Sequence, residues 1–360
     1  MNIEHMNQNI IFFNTQEEKD QILFDTFKKE HPFVKIVDTL EDQLDELYIV
    51  NNPLAISHEV LEGSLKKIPE IHEGVWVYIP WKDVLVRILK QDDYQKLRLS
   101  RNKDLITDDE QSILETKNIG IIGLNVGNPG AIACALEGIG SNFKLADFDP
   151  LSLSNLNRFR AGISELGVNK AIISMRQMLE INPYLHIDVF EEGITQQNIF
   201  SFLEDPKIDI LIEEVDNLKI KIQVRELAKQ KKIPVVMVTG NGENVIVDIE
   251  RYDQEPDLEI LSGFLDNSLI DQIKVIKKGE GTYEERIRLA RDFMGEKYLD
   301  ERLLSSFEKV GKTLAGIPQI AESSFLRGAV LCHFVKHILL RNDIPSGRYE
   351  VSSRGVSVNI

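Results

Sequence analysis

Between residues 118 and 241 short apolar runs alternate with amphipathic stretches, and few folds accommodate that rhythm. NIGIIGL, NFKLADFD, LHIDVFEE, KIDILIEEVD and IPVVMVTG each read as a buried strand. Between them, residues 129–138, 164–181 and 195–203, then NLKIKIQVRELAKQKK, carry helical spacing. Single strands separated by single helices predict an α/β chain: a mostly parallel sheet with helices on both faces. Such sheets bind ligands at the carboxyl ends of their strands, so the residues closing each apolar run hold the chemical interest.

The flanks are less regular. NIIFFN (9–14) predicts a strand and residues 16–31 a helix with Leu23, Phe24 and Phe27 on one side. ELYIVNN and GVWVYIP read as further strands. This defines a small α/β N-terminal region over 1–95, read as a docking or dimerisation appendage, ahead of a main domain over 96–360. Two domains suit 360 residues, at roughly 150 residues each. YDQEPDLEI reads as a crossover, and residues 282–310 as helical with Leu289, Phe293, Tyr298, Leu303 and Phe307 as packing points. Residues 317–341 form an apolar helical stretch, and RYEVSS a last strand.

A net charge of -16 argues against broad binding to nucleic acid or to an anionic membrane, which calls for a basic face. GAVLCHFVKHILL is too short and too polar to span a bilayer, and MNIEHMNQNIIFF lacks the basic start and long apolar core of a signal peptide. The two cysteines, Cys134 and Cys332, form no Cys-x-x-Cys pair, so no zinc site is expected and a reducing cytoplasm fits.

GIIGLNVGNPGA follows the first strand of the alternating segment and opens a helix, the place for a phosphate-binding turn. Gly123, Gly127 and Gly130 remain, but Asn125 and Val126 stand where glycines would let phosphates approach. The second strand ends in Asp147-Phe148-Asp149, and an acid about twenty residues past the glycines is the usual ribose ligand of dinucleotide folds. On that basis alone NAD would fit. Asn155, Asn157, Arg158 and Lys170 then follow, and amide and cationic groups at one strand edge suit a triphosphate with charge to neutralise. The plain alternative is that Arg158 and Lys170 are solvated surface charges. Asp216 closes the fourth strand and Asn217 follows; the pair can cap the next helix, Asp216 can hold Mg²⁺ beside phosphates, and both can be true. The histidines are scattered, and no Ser-His-Asp or Cys-His pairing stands out.

Taken together, DFDPLSLSNLNRF, LGVNKA, INP (181–183) and DNLKIKIQVRELAKQKKIPVV resemble the ThiF/MoeB/HesA family, bacterial relatives of ubiquitin-activating enzymes. The likeness runs from about Arg98 to Asp248 and is weaker in GIPQIAESSFLRGAVLCHFVKHILL. GLNVG, LADFDPLSLSNLNR and DIERYDQEP are similar to the ThiF-like domain found joined to nitroreductase-like domains. The resemblance implies a Rossmann-like fold and ATP-dependent adenylation of a carboxylate, with pyrophosphate released. It implies that Asp147, with Asp149 beside it, binds the ribose, that Gly123, Gly127, Asn157 and Asn217 line the nucleotide, that Asn155 and Arg158 contact phosphates, and that Lys170 neutralises charge on them. It further implies that Asp216 positions Mg²⁺ and the α-phosphate. Arg98 and Arg101 in RLSR match a segment whose second arginine crosses a homodimer into the partner's site, which makes Arg101 the candidate finger.

The implied substrate is the C-terminus of a ubiquitin-like or sulfur-carrier protein, a peptide, or a small carboxylic acid. The tail RGVSVNI lacks Gly-Gly, so the chain is not itself such a carrier. The glycine loop departs from the family pattern, the family's zinc cysteines are missing, and no cysteine follows Asp216 before Cys332. A thioester or persulfide step on this chain is therefore not expected. A nucleotide-binding pseudo-enzyme or scaffold of the same fold and an NAD-linked oxidoreductase remain the alternatives.

Overall fold

The computed structural model describes residues 9–54, 74–275 and 283–352, so RGVSVNI lies outside the described residues. The chain divides into two units: residues 1–108 with 182–184, and residues 109–181 with 185–360.

The first unit contains β1 (Ile11–Phe13), α1 (Glu18–Glu30), β2 (Lys35–Asp38), α2 (Leu40–Asn51), β3 (Val75–Ile79), β4 (Val84–Ile88) and α3 (Gln91–Arg98). Its four strands run in the order β1-β3-β4-β2, with only the β2–β4 pair parallel. Phe13, Phe24, Phe27, Tyr78 and Leu85 form one core, whereas Leu23 is exposed. ELYIVNN is not a strand: it forms the last turns of α2. Leu40, Leu44 and Leu47 recur at helical spacing and pack together with Leu89, and that stripe outweighs the strand-like run LYIV. β2 was not foreseen; its residues are mostly exposed, so no apolar alternation announces it.

In the second unit α4 (Asp108–Leu114) precedes β5 (Asn118–Ile122), α5 (Leu124–Glu137), β6 (Asn142–Ala146), α6 (Lys170–Ile181) and β7 (His186–Phe190). Then come α7 (Ile199–Glu204), β8 (Ile210–Glu213), α8 (Leu218–Lys231), β9 (Val235–Asn241) and β10 (Asn244–Glu250). The chain continues with α9 (Asn267–Val275), α10 (Tyr283–Met294), α11 (Glu301–Phe307), α12 (Ala321–Leu339) and β11 (Gly347–Val351). The seven strands order as β11-β10-β9-β8-β5-β6-β7. From β9 to β7 the pairs are parallel; β10 and β11 add an antiparallel edge.

Alternation along β5 shows the two covered faces. A Cβ at Gly120 would meet Ile208 and Phe202, next to α7, whereas the side chain of Ile121 abuts Gly127 of α5 on the other face. The α/β architecture with a mostly parallel sheet is therefore as the sequence pattern predicts. The glycine segment differs. α5 begins at Leu124, directly after Gly123, so the expected turn shrinks to one residue with φ +86°. Gly127 lies inside the helix, where a Cβ would approach Ile121 Cγ2 to 2.6 Å. Its missing side chain serves helix–strand contact. α6, by contrast, starts later than expected, at Lys170, because Asn169 caps it by accepting the Ala171 amide at 2.8 Å.

Candidate functional site

Asp147 follows β6 and is 7% exposed. Its Oδ2 accepts the Leu124 amide at 2.6 Å and its Oδ1 the Asp149 amide at 2.8 Å. The carboxylate thus sits at the amino end of α5, where the helix dipole favours it. Burial still raises its pKa, against those two amides and Lys170. Lys170 is 4% exposed and its Nζ lies 3.1 Å from Asp149 Oδ2. A buried lysine paired with a half-exposed acid can release that acid when a stronger anion arrives.

The loop after β6 is held by its own amides. Asn155 Oδ1 accepts from the backbone and hydroxyl of Ser152 at 3.1 and 3.0 Å. Asn157 donates to the Gln319 carbonyl at 2.8 Å and accepts from Arg158 Nη1 at 2.8 Å. Arg158 Nη1 also reaches the Ser154 carbonyl at 3.0 Å, while its Nε is buried without a partner.

β8 delivers the second group of acids. Glu213 is fully buried; burial would raise its pKa, but Lys221 and Arg225 together hold it below the usual range. Glu214 accepts the Val238 amide at 2.6 Å, and burial pushes its pKa up to about 8, with Lys221 opposing and Glu213 adding. Asp216 is exposed beyond the strand tip. Asn217 caps α8, accepting the Lys219 and Ile220 amides at 3.0 and 3.2 Å. The cap thus falls to Asn217, leaving Asp216 free for another task.

A cavity of about 170 Å³ opens beside Asp216 at the ends of β8 and β9, with Val126, Glu214, Phe293, Ser323 and Arg327 in its walls. Arg327, on α12, is 2% exposed. Burial lowers its pKa to about 10; Glu214 and Asp216 work against that, whereas Arg158 and Arg160 add to it. Three guanidinium groups and two acids therefore feel one another here. Arg158 Nε, Arg160 Nη1 and Nη2, and Arg327 Nε and Nη2 are all buried without hydrogen-bond partners. Native interiors leave few such donors unpaired; the Arg160 guanidinium also lies over the Phe325 ring, 4.2 Å from its centroid, and the orphaned N–H groups are available to an anion. A second cavity of about 230 Å³, bordered by Glu243, Asp300 and Arg302, has no such excess of positive charge.

The fold thus brings Asp147, Asp149, Asn155, Asn157, Arg158, Lys170, Asp216 and Asn217 to the carboxyl ends of the sheet of the second unit. Gly123 and Gly127 belong to the same unit, the first at the amino end of α5 and the second packed on β5. Arg98 ends α3 in the first unit and is tied to Gln95, and Arg101 is exposed in a short turn over Ser100–Asn102 of that unit. Cys134 and Cys332 are both buried. Among the described residues no three His, Cys, Asp or Glu side chains gather as a metal group, and no helix is long and apolar enough to cross a membrane.

Sequence reading missed Glu214, Arg160 and Arg327. Glu214 was visible as the second acid at a strand end, and Arg160 as the second arginine of RFR. Arg327 gave no signal, because one cation in an apolar helical stretch looks like a side chain that snorkels to solvent.

Residues 99–251 match the family model described as "ThiF family". The chain is 31% identical over 343 residues to an uncharacterized Mycobacterium tuberculosis protein, MT1398, covering 95% of this chain and 45% of that one. The chain thus spans less than half the length of that relative. It is 28% identical over 181 residues to the tRNA threonylcarbamoyladenosine dehydratase of Haemophilus influenzae, covering 48% of this chain and 67% of that one. It is 29% identical over 138 residues to the molybdopterin-synthase adenylyltransferase of the same organism, covering 36% and 52%. The solved structure of the Escherichia coli tRNA N6-threonylcarbamoyladenosine dehydratase with AMP has a similar fold, at a TM-score of 0.51 and 18% identity, over 71% of this chain and 98% of that one.

Proposed function

We propose that this chain, whose residues 99–251 belong to the ThiF family, uses ATP to adenylate a carboxylate. The observation that carries the proposal is the set of three buried guanidinium nitrogens on Arg158 and Arg160 that have no hydrogen-bond partner, with Asp216 close enough to Arg158 to act on its charge. A dinucleotide pyrophosphate is met mainly by backbone amides; a triphosphate that must lose pyrophosphate needs this much positive charge. The reading agrees with the name of the adenylyltransferase to which the chain is 29% identical.

Each residue then has a task. Asp147 accepts the ribose hydroxyls while keeping its hold on the Leu124 amide, with Asp149 beside it. Gly123 brings the start of α5 close to the nucleotide, while Gly127 packs α5 on β5. Asn155, Asn157 and Asn217 hold the loops that frame it. Arg158 and Lys170 meet the phosphates, Lys170 exchanging Asp149 for them. Asp216 is an exposed carboxylate next to Arg158, and magnesium takes one or two carboxylates together with phosphate oxygens, so the residues fit the ion. Bound there, Mg²⁺ would draw negative charge from the phosphates.

A carboxylate oxygen of the substrate attacks the α-phosphorus. The bond to the bridging oxygen of the β-phosphate breaks, and pyrophosphate leaves with that electron pair. The nucleophile is already ionised, so no general base is required; the protein positions and neutralises. The acyl donor is a small-protein C-terminus, a peptide end or a small acid. We place the chain in the cytoplasm as a homodimer, with Arg101 reaching the partner's phosphates.

Calorimetric titration with Mg-ATP and, separately, NAD tests the reading. The wild type should bind ATP, and Arg158→Ala should weaken binding at least about tenfold, since a hydrogen bond to a charged group is worth about 1.5–3 kcal/mol. Asp147→Ala should also lose ATP. Binding of NAD in place of ATP would move the chain to redox chemistry.

A further inference from the structure

The order of strands sets an order of subsites. Along the carboxyl edge, β6 presents Asp147, β8 presents Asp216, and β9 comes next. With the ribose at Asp147 and the α-phosphate at Asp216, the space beyond β8 belongs to the group that attacks. The cavity holding Arg327 opens there.

We propose that Arg327 binds the carboxylate of the acyl substrate and presents it to the α-phosphate; this rests on the adenylation reading above. Arg327 is 2% exposed, lines the cavity, and keeps Nε and Nη2 without partners. Lys221, which also lines the cavity, and the buried Arg225 are already engaged. Lys221 donates to both Glu213 oxygens at 3.1 Å, and Arg225 is shared between Glu213 and Glu250. β9 is shaped around the free guanidinium: a Cβ at Gly240 would stand 3.2 Å from Arg327 Nη1 and 3.7 Å from Ser323 Oγ. Ser323, one helical turn before Arg327 on α12, adds a hydroxyl to the same wall. Glu214 accepts the Val238 amide with one oxygen and forms no salt bridge with Arg327. The positive charge of Arg327 is therefore left for a ligand. Val126, Val215, Val238 and Phe293 line the remaining space, which suits a carboxylate carried on a small or apolar end group.

The test pairs two probes on the full chain. Saturation-transfer NMR follows N-acetylglycine and its uncharged amide with α,β-methylene-ATP and Mg²⁺ present and absent, and calorimetry follows the nucleotide analogue alone. The wild type should bind the acid and not the amide. Arg327→Gln should bind the acid at least about tenfold more weakly, Arg327→Lys should recover part of that loss, and nucleotide affinity should stay within about twofold. Without ligand, Arg327→Gln should melt no lower than wild type, because it removes a buried charge that forms no salt bridge and leaves Nε and Nη2 without hydrogen bonds. Equal binding of acid and amide, no acid binding by wild type, or full acid binding by Arg327→Gln would overturn the proposal. So would a tenfold loss of nucleotide, which makes Arg327 a phosphate ligand, or a lower melting point, which makes it structural. If the acid binds through Arg327 but the nucleotide does not bind at all, the subsite stands and the adenylation reading falls.

Discussion

Glu214 contributes a pH dependence to the stability of the unliganded protein. Its folded pKa, about 8, lies above the ordinary glutamate value of 4.5. Below 4.5 the carboxyl is neutral folded and unfolded and costs nothing. Between 4.5 and 8 the unfolded chain loses the proton while the folded chain keeps it, so stability falls as pH rises, by at most about 1.4 kcal/mol per pH unit. Above 8 the penalty is complete. Glu214→Gln keeps an oxygen for the Val238 amide and removes the titration. Denaturant unfolding at pH 5 and pH 8 should show the wild type losing stability relative to this variant; a constant difference would mean that Glu214 is not protonated in the fold. The residues of the site differ in how plainly they could be read. Asp147 and Asp216 stand out as acids that end apolar runs. Arg327 could not be read, because its meaning comes from Glu214, Arg158 and Arg160, which are distant in sequence.

Elements meet through two devices of opposite kind. β8, α8 and β10 are joined by a buried polar network: Glu213 takes Lys221 and Arg225, Arg225 Nε reaches Glu250 at 2.8 Å, and Glu250 also accepts from Tyr252 and the Leu261 amide. Removing one member leaves buried charge uncompensated, so Arg225→Ala should cost about 3–5 kcal/mol, seen as a lower denaturant midpoint. α5 and α12 instead meet through small residues. A Cβ at Gly328 would approach Pro129 Cβ to 2.7 Å and the Pro129 carbonyl oxygen to 2.9 Å. Backbone must then shift, and Gly328→Ala should cost about 1–3 kcal/mol by the same measurement. The parallel strands were legible because a strand buried on both faces is a short apolar run with polar ends. α2 was misread because LYIV is apolar at consecutive positions, and only Leu40 and Leu44, both upstream of that run, reveal the helical stripe that Leu47 continues. β10 went unremarked because NVIVDIE follows β9 after two residues and reads as its continuation.

At the scale of the whole molecule, the proposed homodimer makes a specific claim about Arg101, the proposed finger. It belongs to the first unit and Asp216 to the second, so a site needing both can draw them from one chain or from two. A symmetric dimer makes the alternatives distinguishable, because each subunit then meets the same surface of its partner. Consider mixed dimers purified on two different tags, one subunit carrying Arg101→Ala and the other Asp216→Ala. If Arg101 acts across the interface, the Arg101→Ala subunit keeps Asp216 and receives an intact Arg101 from its partner, so one of two sites works. The dimer should show about half the wild-type rate of ATP–pyrophosphate exchange with a carboxylate that supports it. If Arg101 acts within its own chain, both sites are damaged and exchange is lost. The converse dimer places both substitutions in one subunit and none in the other. Across the interface, the intact subunit then lacks its finger and the doubly changed one lacks Asp216, so exchange disappears; within one chain, the intact subunit works and about half the rate remains. The two dimers give opposite patterns, and the proposed reach across the interface requires activity in the first and silence in the second.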